Sequence, residues 1–82
     1  MFLSILSVSK KIFEGEVKSV SVPAIEGRLQ VLDHHVPLIT PLRDGEVRFE
    51  FASGKIEKIP IDRGILEVRP NGRGKAIILA NF

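Results

Sequence analysis

The residues in this chain best equipped for chemistry are the adjacent pair His34-His35, preceded by Asp33. Imidazoles beside a carboxylate suggest a metal ion. In an extended chain, however, neighbouring side chains point to opposite faces, so both histidines cannot readily reach one ion. No further ligand stands at a motif spacing, and a tetrahedral site needs more than this stretch offers. A polar loop between two sheets is the simpler reading. Gly72-Arg73-Gly74-Lys75 has the outline of a phosphate loop, but it lacks the Walker spacing. It also lacks a following helix whose N-terminus would complete an anion site. A hairpin turn accounts for it better. Asp62-Arg63 before Gly64 reads as a polar turn. Ser4, Ser7, Ser9, Ser19, Ser21 and Ser53 fall in strand or turn contexts, with no G-x-S-x-G elbow. The expectation is no catalytic residue, no metal site and no cofactor.

Composition sets the frame for any such site. At 82 residues the chain is expected to form one domain, 1–82, small enough that core area limits stability. Hydrophobic residues make up 44% and charged residues 27%, which separates the chain from disordered sequences. With no cysteine, disulfide staples and thiolate metal sites are excluded. The net charge is +2, but only Lys10-Lys11 are adjacent cations of like kind, so no basic tract marks a nucleic-acid or membrane patch. Met1-Phe2-Leu3 is apolar, yet its basic residues follow instead of preceding it, the wrong order for a signal peptide. The chain reads as soluble.

The elements that would position side chains follow a period of two. In Glu46-Val47-Arg48-Phe49-Glu50-Phe51, charged and apolar residues alternate, so Val47, Phe49 and Phe51 are expected in a core. Ser53-Gly54 marks a turn, after which Ile59 and Ile61 resume the inward face as the second arm of a hairpin. Leu66 and Val68 continue the pattern, Pro70–Gly74 turns the chain, and Ala76–Leu79 is a final apolar run. At the other end, Phe2–Val8 and Glu16–Val22 read as strands joined by a charged bend at Lys10-Lys11, with Pro23 closing the second. Pro37 and Pro41 around Leu38-Ile39-Thr40 point to an edge strand, because a central strand would lose ladder hydrogen bonds at both. No segment has helical spacing over two turns. The expected fold is all-β, a small antiparallel β-sandwich or flattened barrel of roughly eight to ten short strands.

One ordered set of motifs narrows the function. Phe13-Glu14-Gly15-Glu16-Val17 is followed by Val20-Ser21-Val22-Pro23-Ala24. Then come Glu26-Gly27-Arg28-Leu29-Gln30-Val31-Leu32 and His35-Val36-Pro37-Leu38-Ile39-Thr40-Pro41-Leu42. Gly45-Glu46-Val47-Arg48 and Gly64-Ile65-Leu66-Glu67-Val68 extend the series. The set resembles the N-terminal β-sandwich domain of the epsilon subunit of rotary F-type ATP synthases, over nearly the whole chain. The resemblance implies a non-catalytic rotor subunit of a proton- or sodium-translocating enzyme, joining the gamma subunit to the membrane c-ring. It implies a peripheral position at the cytoplasmic face of the bacterial cell membrane. By motif position, Glu26, Gly27, Arg28 and Leu29 would meet the ring loops, and Ser7, His35 and Thr40 would face gamma.

The sequence also departs from the family pattern. Asp33 stands where proline is frequent, and Gln30 where glycine is. Asp62-Arg63 replace a glycine and hydroxyl residue, and Arg28 stands where relatives are frequently acidic. Many epsilon subunits continue into a C-terminal helical hairpin that restrains ATP hydrolysis and in some cases binds ATP. Here the sandwich is expected to close at Asn81-Phe82, a short form without those helices or that site. The competing reading is a small nucleic-acid-binding β-barrel. Such barrels present aromatic residues for base stacking, whereas this chain has no Trp or Tyr and places Phe49 and Phe51 at inward parity. A hydrolase or metal enzyme lacks a nucleophile and a ligand set.

Overall fold

Alternation places one apolar stripe on each strand, and a closed two-layer sheet buries those stripes together. The computed structural model describes residues 1–82 and contains seven strands and no helix. They are β1 (Phe2–Leu6), β2 (Lys11–Glu16), β3 (Ser19–Ala24), β4 (Gly27–Leu32), β5 (Leu38–Glu50), β6 (Ile56–Arg69) and β7 (Lys75–Ala80). Hydrogen bonding runs in the order β2-β1-β7-β6-β5-β3-β4. The sheet folds over on itself. Phe13 on β2 meets Phe49 on β5 with ring centroids 4.5 Å apart, although three strands separate them in the sheet. Sixteen buried side chains form one core, drawn from every strand but β2, which adds the half-buried Ile12 and Phe13.

Strand number departs from the sequence expectation. There are seven strands, and β5 and β6 run for 13 and 14 residues. Asp62-Arg63 is no turn between strands: it lies inside β6, at a bend that carries the chain from one layer to the other. Arg63 takes φ 77°, and the bend is tied to the residue that follows β7 through Asp62 N–H to Asn81 O at 2.8 Å and Asn81 N–H to Arg63 O at 3.0 Å. A second correction concerns direction. β1 and β7 pair in parallel, with Phe2 opposite Lys75 and Leu6 opposite Leu79, so the sandwich is not wholly antiparallel. The five intervening strands serve as the long crossover that a parallel pair requires.

The N-terminal runs also divide differently. β1 ends at Leu6, a Ser7–Lys10 turn follows, and Lys11 already belongs to β2. The run Glu16–Val22 is split at Val17-Lys18, where Val17 N–H bonds Met1 O and Lys18 N–H bonds Glu50 O. Pro23 lies within β3, opposite Arg28, where the pairing of β3 with β5 skips between Ser21 and Ala24. A residue without an N–H fits a gap in that ladder. The hairpin at Ser53-Gly54 and the turn at Pro70–Gly74 stand as expected, closed by Phe51 N–H to Lys55 O and Gly74 N–H to Asn71 O, both 2.9 Å. Val47, Phe49, Leu66 and Val68 are buried, but Phe51 is only half-buried. It falls just beyond the end of β5, where the opening turn leaves one side uncovered.

Candidate docking surfaces

The tip of the β3–β4 hairpin carries the first set of candidate residues. Ala24 pairs with Gly27, so Ile25-Glu26 form a two-residue turn. Gly27 has φ 132°, a conformation L side chains rarely adopt, and this lets the turn close so tightly. Ile25 stays 54% exposed at the tip. Beside it, residues 38–41 of β5 pair with β6 but have no β3 partner until Leu42 meets Ala24. The expected edge is therefore real over the first four residues of β5. An open cleft of about 500 Å³ separates edge and tip, lined by Ala24–Leu29, Leu38, Thr40 and Pro41. It brings Thr40 together with Glu26, Gly27, Arg28 and Leu29, although the sequence reading assigned them to two partners.

Arg28 does not project from the tip. Its Nε and Nη2 donate to Ser21 Oγ at 3.2 and 3.0 Å, and Nη2 also reaches Ser21 O at 3.1 Å. Partial burial, then the nearby charge of Arg48, hold its pKa below the usual guanidinium value, with Glu46 acting in the opposite sense.

His35 and Ser7 lie elsewhere. Asp33-His34 form a turn after β4, with His34 at φ 63° and its N–H on Arg73 O at 2.8 Å. His35 is half-buried, its Nδ1 2.7 Å from Val36 O. The turn is held by the Met1 ammonium, which donates to Asp33 Oδ1 at 2.7 Å and to Val17 O at 3.1 Å. Ser7 closes the turn at the other end of β1, where its Oγ donates to Lys10 O at 3.2 Å. Met1 and Ser7 are six residues apart along an extended chain, about 20 Å at strand spacing. Ser7 and His35 are thus at opposite ends of β1, and Thr40 is on the cleft. The three candidate gamma residues do not form one cluster.

The tie to Met1 has a pH signature. Its hydrogen bond, opposed by burial and aided by the ammonium charge, lowers the Asp33 pKa. A carboxylate depressed in the folded state stabilises above its unfolded pKa and loses that contribution as pH falls. The window therefore runs from about pH 3.9 down through the lower folded value. Asp33→Asn is expected to lower the urea midpoint at pH 7 and to converge with the parent chain as pH falls through the depressed folded value. Glu14 and Glu67, depressed chiefly by hydrogen bonds from Lys11 and Arg69, keep a residual slope in the variant.

One surface escaped the sequence reading. Pro41, Ile65, Leu79 and Leu6 are directly opposed across four adjacent strands, forming an apolar row on the outer face. Ile65 and Leu79 are about half exposed, and Ile39, two positions from Pro41 on the same face of β5, is 72% exposed. The signal was available: these residues occupy positions that alternation with Leu66 and Ile78 assigns to water.

Comparison with known proteins places the fold. Residues 1–81 match the family model described as ATP synthase, Delta/Epsilon chain, beta-sandwich domain. The chain belongs to this family. An ATP synthase epsilon chain from Delftia acidovorans is 41% identical over 69 residues, covering 84% of this chain and 50% of that one. The delta/epsilon sandwich described here thus spans about half the length of that curated relative. Among solved structures, the Euglena gracilis mitochondrial ATP synthase (OSCP/F1/c-ring) contains a chain of the same fold. It aligns with TM-score 0.87 and 24% identity, over 95% of this chain and 48% of that one. A chain from the central stalk and c-ring structure of Tetrahymena thermophila mitochondrial ATP synthase aligns over the whole of this chain and 63% of its own. Its TM-score is 0.81, with 14% identity.

Proposed function

We propose that this domain is a non-catalytic rotor component of an ATP synthase, binding the gamma subunit and the c-ring so that stalk and ring turn together. The observation that carries the reading is the exposed row Pro41–Ile65–Leu79 on the outer face of a delta/epsilon sandwich. A contiguous apolar strip on a soluble sheet marks a surface covered by another protein. The Delftia relative is an ATP synthase epsilon chain, and the two structural neighbours come from ATP synthase assemblies that include the c-ring. The domain would then sit peripherally to the membrane through the complex, at its cytoplasmic face in a bacterium.

Within that reading, the Glu26–Leu29 tip faces the ring, and Ser7, His35 and Thr40 belong to the gamma side. The nucleic-acid alternative is disfavoured by the aromatic residues. Phe13, Phe49 and Phe51 pack on one another, and Lys75 Nζ lies 5.8 Å from the Phe2 ring centroid, which leaves no stacking platform on a strand face.

Binding to purified gamma and to purified c-ring, measured separately, tests the assignment. Arg28→Glu is expected to weaken the ring complex while leaving the gamma complex intact, since exposed charges act mainly on association and salt dependence. His35→Ala is expected to speed dissociation from gamma and to spare the ring. Equal affinities of both variants for both partners would refute these contacts.

A further inference from the structure

The turn between β6 and β7 contains the one Asn-Gly pair of the chain, Asn71-Gly72. An asparagine side chain places its amide carbon where the next backbone nitrogen can attack it and close a succinimide ring. Glycine hinders that attack least, having no side chain beside its nitrogen and a freely adjustable φ, here 64°. The fold leaves the reacting groups free. The turn is closed by Asn71 N–H to Arg69 O and Gly74 N–H to Asn71 O, both 2.9 Å. Neither bond uses the Asn71 side chain, and Gly72 N–H has no backbone acceptor. Asn71, Gly72 and Arg73 are all exposed, and a Cβ at Gly72 would meet nothing within 4 Å, so water reaches the site. Asn81, the other asparagine, is the contrast. Its N–H and C=O are tied to Arg63 O and Asp62 N–H, and the bulky Phe82 follows it.

We propose that Asn71 is a site of spontaneous deamidation, and that the isoaspartate formed there unties the turn from His34 and Phe2. Gly72 N gives its proton to water and attacks Asn71 Cγ. The N–Cγ bond forms, the Cγ–Nδ2 bond breaks, and Nδ2 takes up a proton and leaves as ammonia. Water then opens the succinimide. Attack at Cγ breaks the new N–Cγ bond and gives aspartate. Attack at the main-chain carbonyl carbon breaks the original peptide bond and gives isoaspartate, with the backbone now running through Cγ and longer by one methylene. Either product lowers the net charge of +2 by one. Only isoaspartate displaces the backbone beyond it. That segment carries Arg73 O, which accepts His34 N–H at 2.8 Å, and Gly74 O, which accepts Phe2 N–H at 3.1 Å. These two bonds fasten the turn to the residues after β4 and to the start of β1. The inference does not depend on the rotor reading.

Purified chain incubated in mildly alkaline buffer at physiological temperature provides the test, followed by mass spectrometry and peptide mapping. The free peptide of residues 68–75 is the reference. The expected result is a gain of a single mass unit confined to the fragment bearing Asn71. Its rate should lie within about tenfold of the peptide's, because no hydrogen bond of Gly72 N–H must break first and one such bond is worth roughly that factor. Labelling by an isoaspartyl methyltransferase scores the isoaspartate in the aged chain. Asn71→Gln, whose longer side chain closes a ring less readily, should keep its mass over the same period. Asn71→Asp adds the charge without lengthening the backbone. Freshly purified, it should share the urea midpoint of the fresh parent chain, whereas the aged, labelled chain should unfold at lower urea. A rate more than about tenfold below the peptide's, or a gain located at Asn81 instead, would overturn the site. An unchanged midpoint in fully converted, isoaspartate-bearing chain would overturn the untying.

Discussion

Replacing Phe49 with alanine is expected to cost about 3–5 kcal/mol, the range for truncating a buried aromatic side chain. Phe49 is 2% exposed, and its ring lies 4.5 Å from that of Phe13 and 5.7 Å from that of Phe51. Phe13 comes from β2 and Phe49 from β5, so the cavity would open where the two layers close on each other. A chain of this size holds about 4–12 kcal/mol in total at typical values per residue. The variant should therefore populate unfolded molecules at room temperature, readable as a large drop in the urea midpoint. An unchanged midpoint would place Phe49 outside the core and reopen the base-stacking alternative.

The second large effect is expected at Gly64. A Cβ there would lie 2.5 Å from the Leu79 carbonyl oxygen and 2.8 Å from the Ala80 Cβ. The first of these is backbone held in the β6–β7 ladder, where Gly64 is opposite Ala80, so it cannot swing aside as a flexible side chain would. Even Gly64→Ala must push the two strands apart at the bend of β6, and overpacking of this kind costs about 1–3 kcal/mol or more. Gly64→Val should be worse, because a branched side chain adds bulk against the same ladder. Arg63→Gly, one residue away, is expected to be neutral or mildly stabilising, since it relieves the positive φ of Arg63. Thermal unfolding of these three variants would check the contrast. A Gly64→Ala protein as stable as its parent would mean that the strands at this bend can separate freely.

The same bend explains how far the sequence could be read. Alternation in Val47–Phe49 and Leu66–Val68 identified core residues directly, because side-chain parity along a strand is a local property. Strand count was not local. Asp62-Arg63-Gly64 has turn composition, yet the chain passes through it within a single strand because Asn81, just past the end of β7, supplies partners to Asp62 and Arg63. The parallel pairing of β1 with β7 joins residues more than seventy positions apart and leaves no trace in either segment. Pro41 was legible as an edge marker, while Pro23 was misread as a strand end, since only the gap in the β3–β5 ladder reveals why it is tolerated inside. At the surfaces, motif order picked out Glu26–Leu29 as a group, and the structure gathers them on one cleft. It also carries Arg28 away from the tip onto Ser21, a contact across the hairpin that spacing alone does not specify.

The rotor reading is tested most directly by a pull-down with tagged chain from membranes of its native source, solubilised in mild detergent, with co-purifying proteins identified by mass. The expected result is recovery of the ATP synthase gamma and c subunits, with Arg28→Glu losing the c subunit and His35→Ala losing gamma. Recovery of nucleic acid, or of proteins unrelated to the synthase, with gamma and c both absent, would contradict it.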